Sequence, residues 1–455
     1  MIRATLTFPH GFLWGTATAS HQVEGENHNN DWSDWEQQSG RIVQGHRSGK
    51  ACDWWGGRWQ EDLDRAAQGG QNTHRLSVEW SRIEPNSAVW DDSAIDFYRQ
   101  VLRGAIDRGL TPLVTLHHFT SPRWIADQGG WAAPDIAARF ERYVRKVVAA
   151  LKDLADYWVT INEPNVCAFS GYYLGTFPPG EKSLGRAFQV MENMVAAHAA
   201  AYQAIHELQP NARVGVAHHY RGVQPLHPSN PLDRMVARFR FRALNEFFPQ
   251  ALHQGSFAVL GRTFRFPKAT RTQDFFGLNY YTVEHCAFDL LRPLALFMRD
   301  LYPLGSDLSG TGFLANVPDG LTQAMQWAKR FGLPILITEN GVEDAADQMR
   351  PRYLALHLHR LWHAVNVGVP VRGYYHWSLV DNFEWERGWT QRFGLWELIL
   401  ETQERRKRRS ADFFAEVCRS NSLASEMVER FAPEVMERLF PTRSPGTPGI
   451  IQGFE

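Results

Sequence analysis

Residues 157–165 read YWVTINEPN: an aromatic and β-branched run that gives way at Asn162 to a turn marked by Pro164, with Glu163 at the hinge. Residues 335–341, ILITENG, repeat the arrangement with Glu339 at the hinge and Gly341 as the breaker. Working outward, short apolar runs recur at 13–17, 74–79, 113–117, 157–162, 213–217, 275–280, 335–339 and 373–377. Each ends in polar or aromatic residues and is followed by a longer stretch. The stretches 134–154, 184–208, 319–331 and 352–367 carry helical periodicity over the length that a right-handed crossover needs. Alternation of this kind, with eight strands, predicts an α/β fold: a single (β/α)8 TIM barrel with its working face at the C-terminal ends of the strands. A doubly wound open sheet is the competing arrangement.

No low-complexity linker or long charge block interrupts residues 1–424, which therefore read as one domain. Residues 425–455 read as an appended helix and tail and not as a separate domain. Val428, Phe431, Val435 and Leu439 fall at helical spacing within 425–440, and a Pro/Gly-rich run follows. That apolar stripe can dock on its own barrel or on a second copy, so a homo-oligomer stays open.

The chain has 48 Lys+Arg against 49 Asp+Glu, a net charge of −1, which gives no reason to expect nucleic acid or an anionic membrane as partner. Arg405-Arg406-Lys407-Arg408-Arg409 stands alone in this neutral background and reads as a solvated loop. Every hydrophobic run is broken by charge, Gly or Pro before it could span a bilayer. Four scattered cysteines, Cys52, Cys167, Cys286 and Cys418, form no disulfide or zinc pattern. With no secretory leader legible at the start, the expectation is a cytoplasmic protein. The 17 Trp and 28 Phe suit a large core, and flat aromatic faces also suit the stacking of sugar rings.

In such a barrel the strand ends converge on one face. They supply Gln22 and Glu24, Arg75 and Glu79, His117-His118, Asn162-Glu163, Asn279-Tyr280-Tyr281, Glu339-Asn340, and Trp377 followed by Asp381, Asn382 and Glu384. Amides, imidazoles, carboxyls and indoles match paired hydroxyls, and an aromatic plate matches the apolar face of a pyranose. Glu163 and Glu339, at the ends of the fourth and seventh strands, form the pair of carboxyls that glycoside cleavage requires. An arbitrary Glu more often caps a helix or pairs with an arginine, so the hinge contexts carry the reading.

Those two contexts closely resemble the acid/base and nucleophile signatures of glycoside hydrolase family 1, the β-glucosidase family. Residues 12–25 (FLWGTATASHQVEG), 74–85 (HRLSVEWSRIEP), 275–282 (FFGLNYYT) and 377–395 (WSLVDNFEWERGWTQRFGL) match family patterns in the right order. The resemblance implies the eightfold barrel and a retaining β-glycosidase acting on small β-glycosides. It implies Glu163 as acid/base and Glu339 as nucleophile, with Arg75 and Tyr281 holding Glu339 ionised. Gln22, His118, Asn162, Asn279, Trp377, Glu384 and Trp385 would wall the sugar subsite. Glu163 is expected to begin protonated, its proton affinity raised by the charge of Glu339. Glu384, where phospho-glycosidases of the family have a small hydroxyl residue, implies sugars without a 6-phosphate.

Departures from the pattern carry expectations of their own. Phe119 stands in LHHFTSPRW where many relatives have Trp, which removes an indole donor, and Asn165 replaces an aromatic platform, which predicts a more polar leaving-group site. Residues 289–316 match poorly. The histidine pairs are not read as metal ligands, because adjacent strand residues face opposite ways, and no phosphate-binding glycine loop follows a strand, so neither metal nor nucleotide cofactor is expected. A transglycosidase and a non-catalytic sugar-binding barrel are the alternatives.

Overall fold

The computed structural model describes residues 3–259 and 261–441. Its centre is eight parallel strands: β1 (Leu13–Ala17), β2 (Thr73–Ser77), β3 (Thr111–Thr115), β4 (Tyr157–Asn162), β5 (Arg213–Pro225), β6 (Phe275–Phe288), β7 (Ile335–Asn340) and β8 (Val371–His376). Each pairs with the next in chain order, and β8 returns to β1 with Gly373 opposite Leu13 and His376 opposite Thr16. That closure rules out the open sheet. The outer ring is α1 (Trp59–Gln68), α2 (Asp92–Asp107), α3 (Ile136–Leu151), α4 (Leu184–Leu208), α5 (Phe247–Gln254), α6 (Pro318–Lys329), α7 (Arg350–Asn366) and α8 (Arg409–Ser420). α3 shows why these segments are helical: Ile136, Phe140, Tyr143, Val144, Val147 and Leu151 fall three and four apart and are all buried on one stripe.

Two strands run far beyond their expected ends. β5 and β6 were expected to stop at Ala217 and Tyr280, where polar residues interrupt the apolar run, but they stay paired from Gly215↔Phe275 to Pro225↔Cys286. Backbone pairing does not need apolar side chains, and the extension lifts a ribbon above the barrel mouth. Met298–Leu301 folds back antiparallel on its outer edge.

The segment after α8 also differs from the single helix expected over 425–440. A helix at Ser425–Phe431 gives way to a 3-10 turn at Pro433–Val435 and a short helix at Met436–Leu439. Pro433 has no N–H and its ring crowds the preceding turn, so the helix cannot pass through it. The stripe is nevertheless buried: Val428, Phe431, Val435 and Leu439 pack with Phe413 and Phe414 of α8, the Phe431 and Phe413 rings stacking at 5.4 Å. Most of the expected Pro/Gly-rich tail lies outside the described residues.

The basic run is not a solvated loop. Glu404–Lys407 is a strand paired with Trp396–Ile399, and strand alternation turns Arg405 inward to a buried ion pair with Asp62 at 3.0 Å. Just beyond the strand, Arg408 meets both oxygens of the fully buried Asp381 at 2.7 and 2.9 Å. Isolated cations at these positions would be costly; paired, they tie the strand to the barrel. Among the described residues no helix is long and apolar enough to cross a membrane.

Candidate active site

Arg75, wholly buried on β2, is the hub of the barrel mouth. Its Nη1 donates to Glu339 Oε1 at 2.6 Å and to the Thr338 carbonyl at 3.1 Å, its Nη2 to Asn162 Oδ1 at 2.6 Å, and its Nε to Thr115 Oγ1 at 3.1 Å. One guanidinium thus ties together β2, β3, β4 and β7. Tyr281, from β6, donates its phenol to Glu339 Oε2 at 2.6 Å. Both oxygens of Glu339 are therefore engaged by donors, an arrangement that favours the anion.

Glu163 follows β4 in a left-handed backbone conformation, φ 44°, from which the short helix Pro164–Phe169 starts. That conformation costs a residue with a Cβ roughly 1–2 kcal/mol. Its Oε1 accepts from Asn279 Nδ2 at 2.8 Å and lies 2.9 Å from His219 Nδ1. Asn279 also donates to Asn162 Oδ1 at 3.2 Å and accepts from Thr338 Oγ1 at 2.6 Å, so an amide bridge links the β4 and β7 ends.

The remaining expected residues lie on the same mouth. Gln22, one turn past β1, donates to Asn382 Oδ1 at 3.0 Å and to the Phe383 carbonyl at 2.7 Å, and stands 3.5 Å from Glu384 Oε2. His118 meets Asn162 Nδ2 at 3.0 Å and stacks between Trp377 and Trp385, each 5.9 Å away. Phe119 fills an aromatic nest with Trp385 and Phe177 at 5.0 and 5.5 Å. Gln22 Oε1 and His118 Nδ1 are buried and have no hydrogen-bond partner within the structure. Asn382 was among the strand-end residues read from the sequence, whereas His219 is a participant considered there only as a metal ligand. For His219 the signal was present in the alternation of β5: His218 turns outward to Gln273 at 2.9 Å, and its neighbour turns inward to Glu163.

Electrostatics here depart from expectation. Burial raises Glu339, Arg75 opposes it, and the charge of Glu163 adds to it, leaving Glu339 pushed up to about 7. Burial also raises Glu163, but His219, then Asn279 and Arg75, outweigh it and hold Glu163 below its ordinary range. The histidine that faces Glu163 thus works against the expected order, in which Glu163 is the more basic of the two. Glu384 is pushed well above its usual range by desolvation first and then by Glu386, Glu339, Glu163 and Glu343. Among the described residues no group of three or more His, Cys, Asp or Glu could hold a metal ion.

A closed (β/α)8 barrel whose strand ends present two buried carboxyls amid amides, imidazoles and indoles defines a glycoside-cleaving barrel enzyme. The family model for glycosyl hydrolase family 1 matches residues 4–423, and the chain belongs to that family. It is a glycoside hydrolase of the β-glucosidase type, in a family that works by retaining double displacement. Beta-glucosidase A of Thermotoga maritima is 31% identical over 449 residues, spanning 91% of this chain and 98% of its own length. The solved beta-glycosidase from Pyrococcus horikoshii superposes with a TM-score of 0.88 at 36% identity, covering 94% of this chain and 98% of that one. A Thermotoga maritima beta-glucosidase solved in complex with galacto-hydroximolactam has a TM-score of 0.85 at 29% identity, covering 92% and 99%.

Proposed function

We propose that Glu339 is the nucleophile and Glu163 the acid/base in hydrolysis of unphosphorylated β-glycosides, with Gln22, His118, Asn162, Asn279, Trp377, Glu384 and Trp385 forming the glycone wall. The observation that carries this reading is the double engagement of Glu339 by Arg75 and Tyr281, each at 2.6 Å. In the reacting form these donors select the anion on Glu339, and the single proton of the pair sits on Glu163. Glu339 attacks the anomeric carbon while Glu163 gives its proton to the departing oxygen, leaving a glycosyl ester and a free alcohol. Glu163, now a carboxylate, takes a proton from water as that water attacks the same carbon from the opposite side and frees Glu339. Two inversions give net retention. Gln22 Oε1 and His118 Nδ1, both unpartnered, suit hydroxyls of the sugar. Proton NMR of the first product from an aryl β-glycoside tests the scheme: the β-anomer is expected, and an initial α-anomer overturns it.

Exclusion of phosphorylated sugars rests on charge. A carboxyl as basic as Glu384 both donates to and accepts from neutral hydroxyls, whereas a phosphate would meet Glu339 and Glu386 close by. The two nearby cations are committed elsewhere: Arg387 to Glu386 at 3.3 Å and Arg392 toward Asp381 at 3.8 Å. The kcat/KM for 4-nitrophenyl β-glucoside is expected to exceed that for its 6-phosphate. A reducing cytoplasmic setting suits Cys52, Cys167, Cys286 and Cys418, all free and buried.

A further inference from the structure

His21 sits immediately before Gln22 on the short helix Ser20–Val23 past β1, is buried, and has no part in the reaction scheme above. Its ring stacks on Trp385 at 6.0 Å and 11°. Trp385 stacks in turn on His118 at 5.9 Å and 17°, and His118 on Trp377 at 5.9 Å and 24°. Three of these four near-parallel rings belong to the glycone wall assigned above, and the inference rests on that reading.

The polar edge of His21 fixes the row. Its Nε2 donates to Glu36 Oε1 at 2.7 Å, and its Nδ1 accepts from Asn30 Nδ2 at 3.1 Å, an amide whose own oxygen is taken by the Ser33 N–H at 2.7 Å. Bonds at both nitrogens hold the ring plane, whereas an unbonded ring has a broad torsion about its last bond. Glu36, buried at the end of the helix Asp31–Glu36, carries the constraint onward: its Oε2 accepts from the N–H and the hydroxyl of Ser48 at 2.7 and 3.1 Å. The preceding residues then grip Trp389, whose Nε1 donates to the Arg47 carbonyl at 2.8 Å and whose N–H donates to His46 Nδ1 at 3.1 Å. Trp389 follows directly on the turn that carries Trp385, so the circuit returns to the indole from which it began. Trp385 has φ 48°, a left-handed conformation that a residue with a Cβ keeps only where its surroundings impose it.

A carboxylate and an imidazole set among Trp32, Phe383 and Trp385 contribute little stability that apolar side chains of the same volume would not. What the polar pair adds is a fixed orientation. We propose that His21, held by Glu36, is a positioning residue: it sets the plane of the Trp385 indole against the sugar and acts through that ring, without touching substrate.

The test is a double-mutant cycle in kcat/KM for 4-nitrophenyl β-glucoside, with each variant assayed well below its own melting temperature. His21→Phe keeps a ring and deletes both bonds, and a misplaced wall should lower kcat/KM roughly 10- to 100-fold. Trp385→Leu should be impaired by itself. In the Trp385→Leu background, His21→Phe should cost less than about twofold, because the ring it positions is gone. Should His21→Phe fail to fold, Glu36→Gln, which keeps both rings and loosens the tether, takes its place in the cycle with the same collapse expected. A merely structural His21 would instead lose the same factor in both backgrounds; that result, or no loss in either, overturns the inference and leaves the wall in place. An unimpaired Trp385→Leu takes Trp385 out of the wall, and the inference falls with that reading.

Discussion

His219 stands 2.9 Å from the oxygen of Glu163 that also accepts from Asn279, so Glu163 is held by its flank, which in the proposed scheme leaves its other oxygen for the substrate. Burial raises Glu163, and His219 is the foremost of the groups that together outweigh it and stabilise the carboxylate. Its removal must therefore raise the proton affinity of Glu163. In His219→Asn the acid form should persist to higher pH, moving the basic limb of the kcat/KM profile upward. An unmoved basic limb would make the histidine a packing residue. Tyr281→Phe keeps the ring and deletes the donor to Glu339. Loss of a hydrogen bond to a charged group should lower kcat/KM roughly 10- to 100-fold. The loss should be similar for good and poor leaving groups, since the nucleophile acts on every substrate. A deficit confined to poor leaving groups would transfer Tyr281 to the acid step.

At the scale of elements, strand ends were the most legible part of the chain. β1 and β4 begin and end where the apolar runs do, because a barrel strand buried on both faces must be apolar and must stop where the mouth begins. The candidate site was legible for the same reason: Glu163 and Glu339 sit at such stops, and Asn279 sits where the apolar run of β6 ends although the strand continues. What local reading could not supply was pairing between distant segments. Arg405 and Arg408 looked like part of a solvated charge run because their partners, Asp62 and Asp381, lie far away in sequence. The β5–β6 ribbon was invisible because its polar residues resemble a loop until a neighbouring strand is present. Asp381 makes this testable. It is fully buried, takes both arms of Arg408, and accepts from the backbone of Gly394 at 2.9 Å. Asp381→Ala leaves Arg408 buried and unpaired and should cost about 3–5 kcal/mol, read as a lower denaturation midpoint. Replacing both residues with apolar ones of similar volume should recover much of that loss, which a simple cavity effect would not allow.

Over the whole molecule the two ends of the described chain are stitched together beneath the barrel. Thr5–Thr7 pairs antiparallel with Ser422–Ala424, Ala4 and Ser425 exchange hydrogen bonds at 2.9 and 3.0 Å, and Trp14 Nε1 donates to Asn421 at 2.8 Å. The helix Ser425–Phe431 then lies on the core that contains Trp14, Leu354, Phe413 and Phe414. This contact is at the N-terminal end of β1, whereas Gln22 and the paired carboxyls lie at or past the C-terminal ends of the strands, so stability and chemistry are separable here. Val428 has no exposed surface. Val428→Asp places an unpaired carboxyl in that core and should destabilise the protein by several kcal/mol, while the fraction still folded at low temperature keeps its kcat/KM within about twofold. Because the helix shares its core with α7 and α8 and has none of its own, the variant should melt in one transition at a lower temperature. A first transition that releases the C-terminal segment while activity survives to the second would mean that residues 425–441 fold as a unit apart from the barrel.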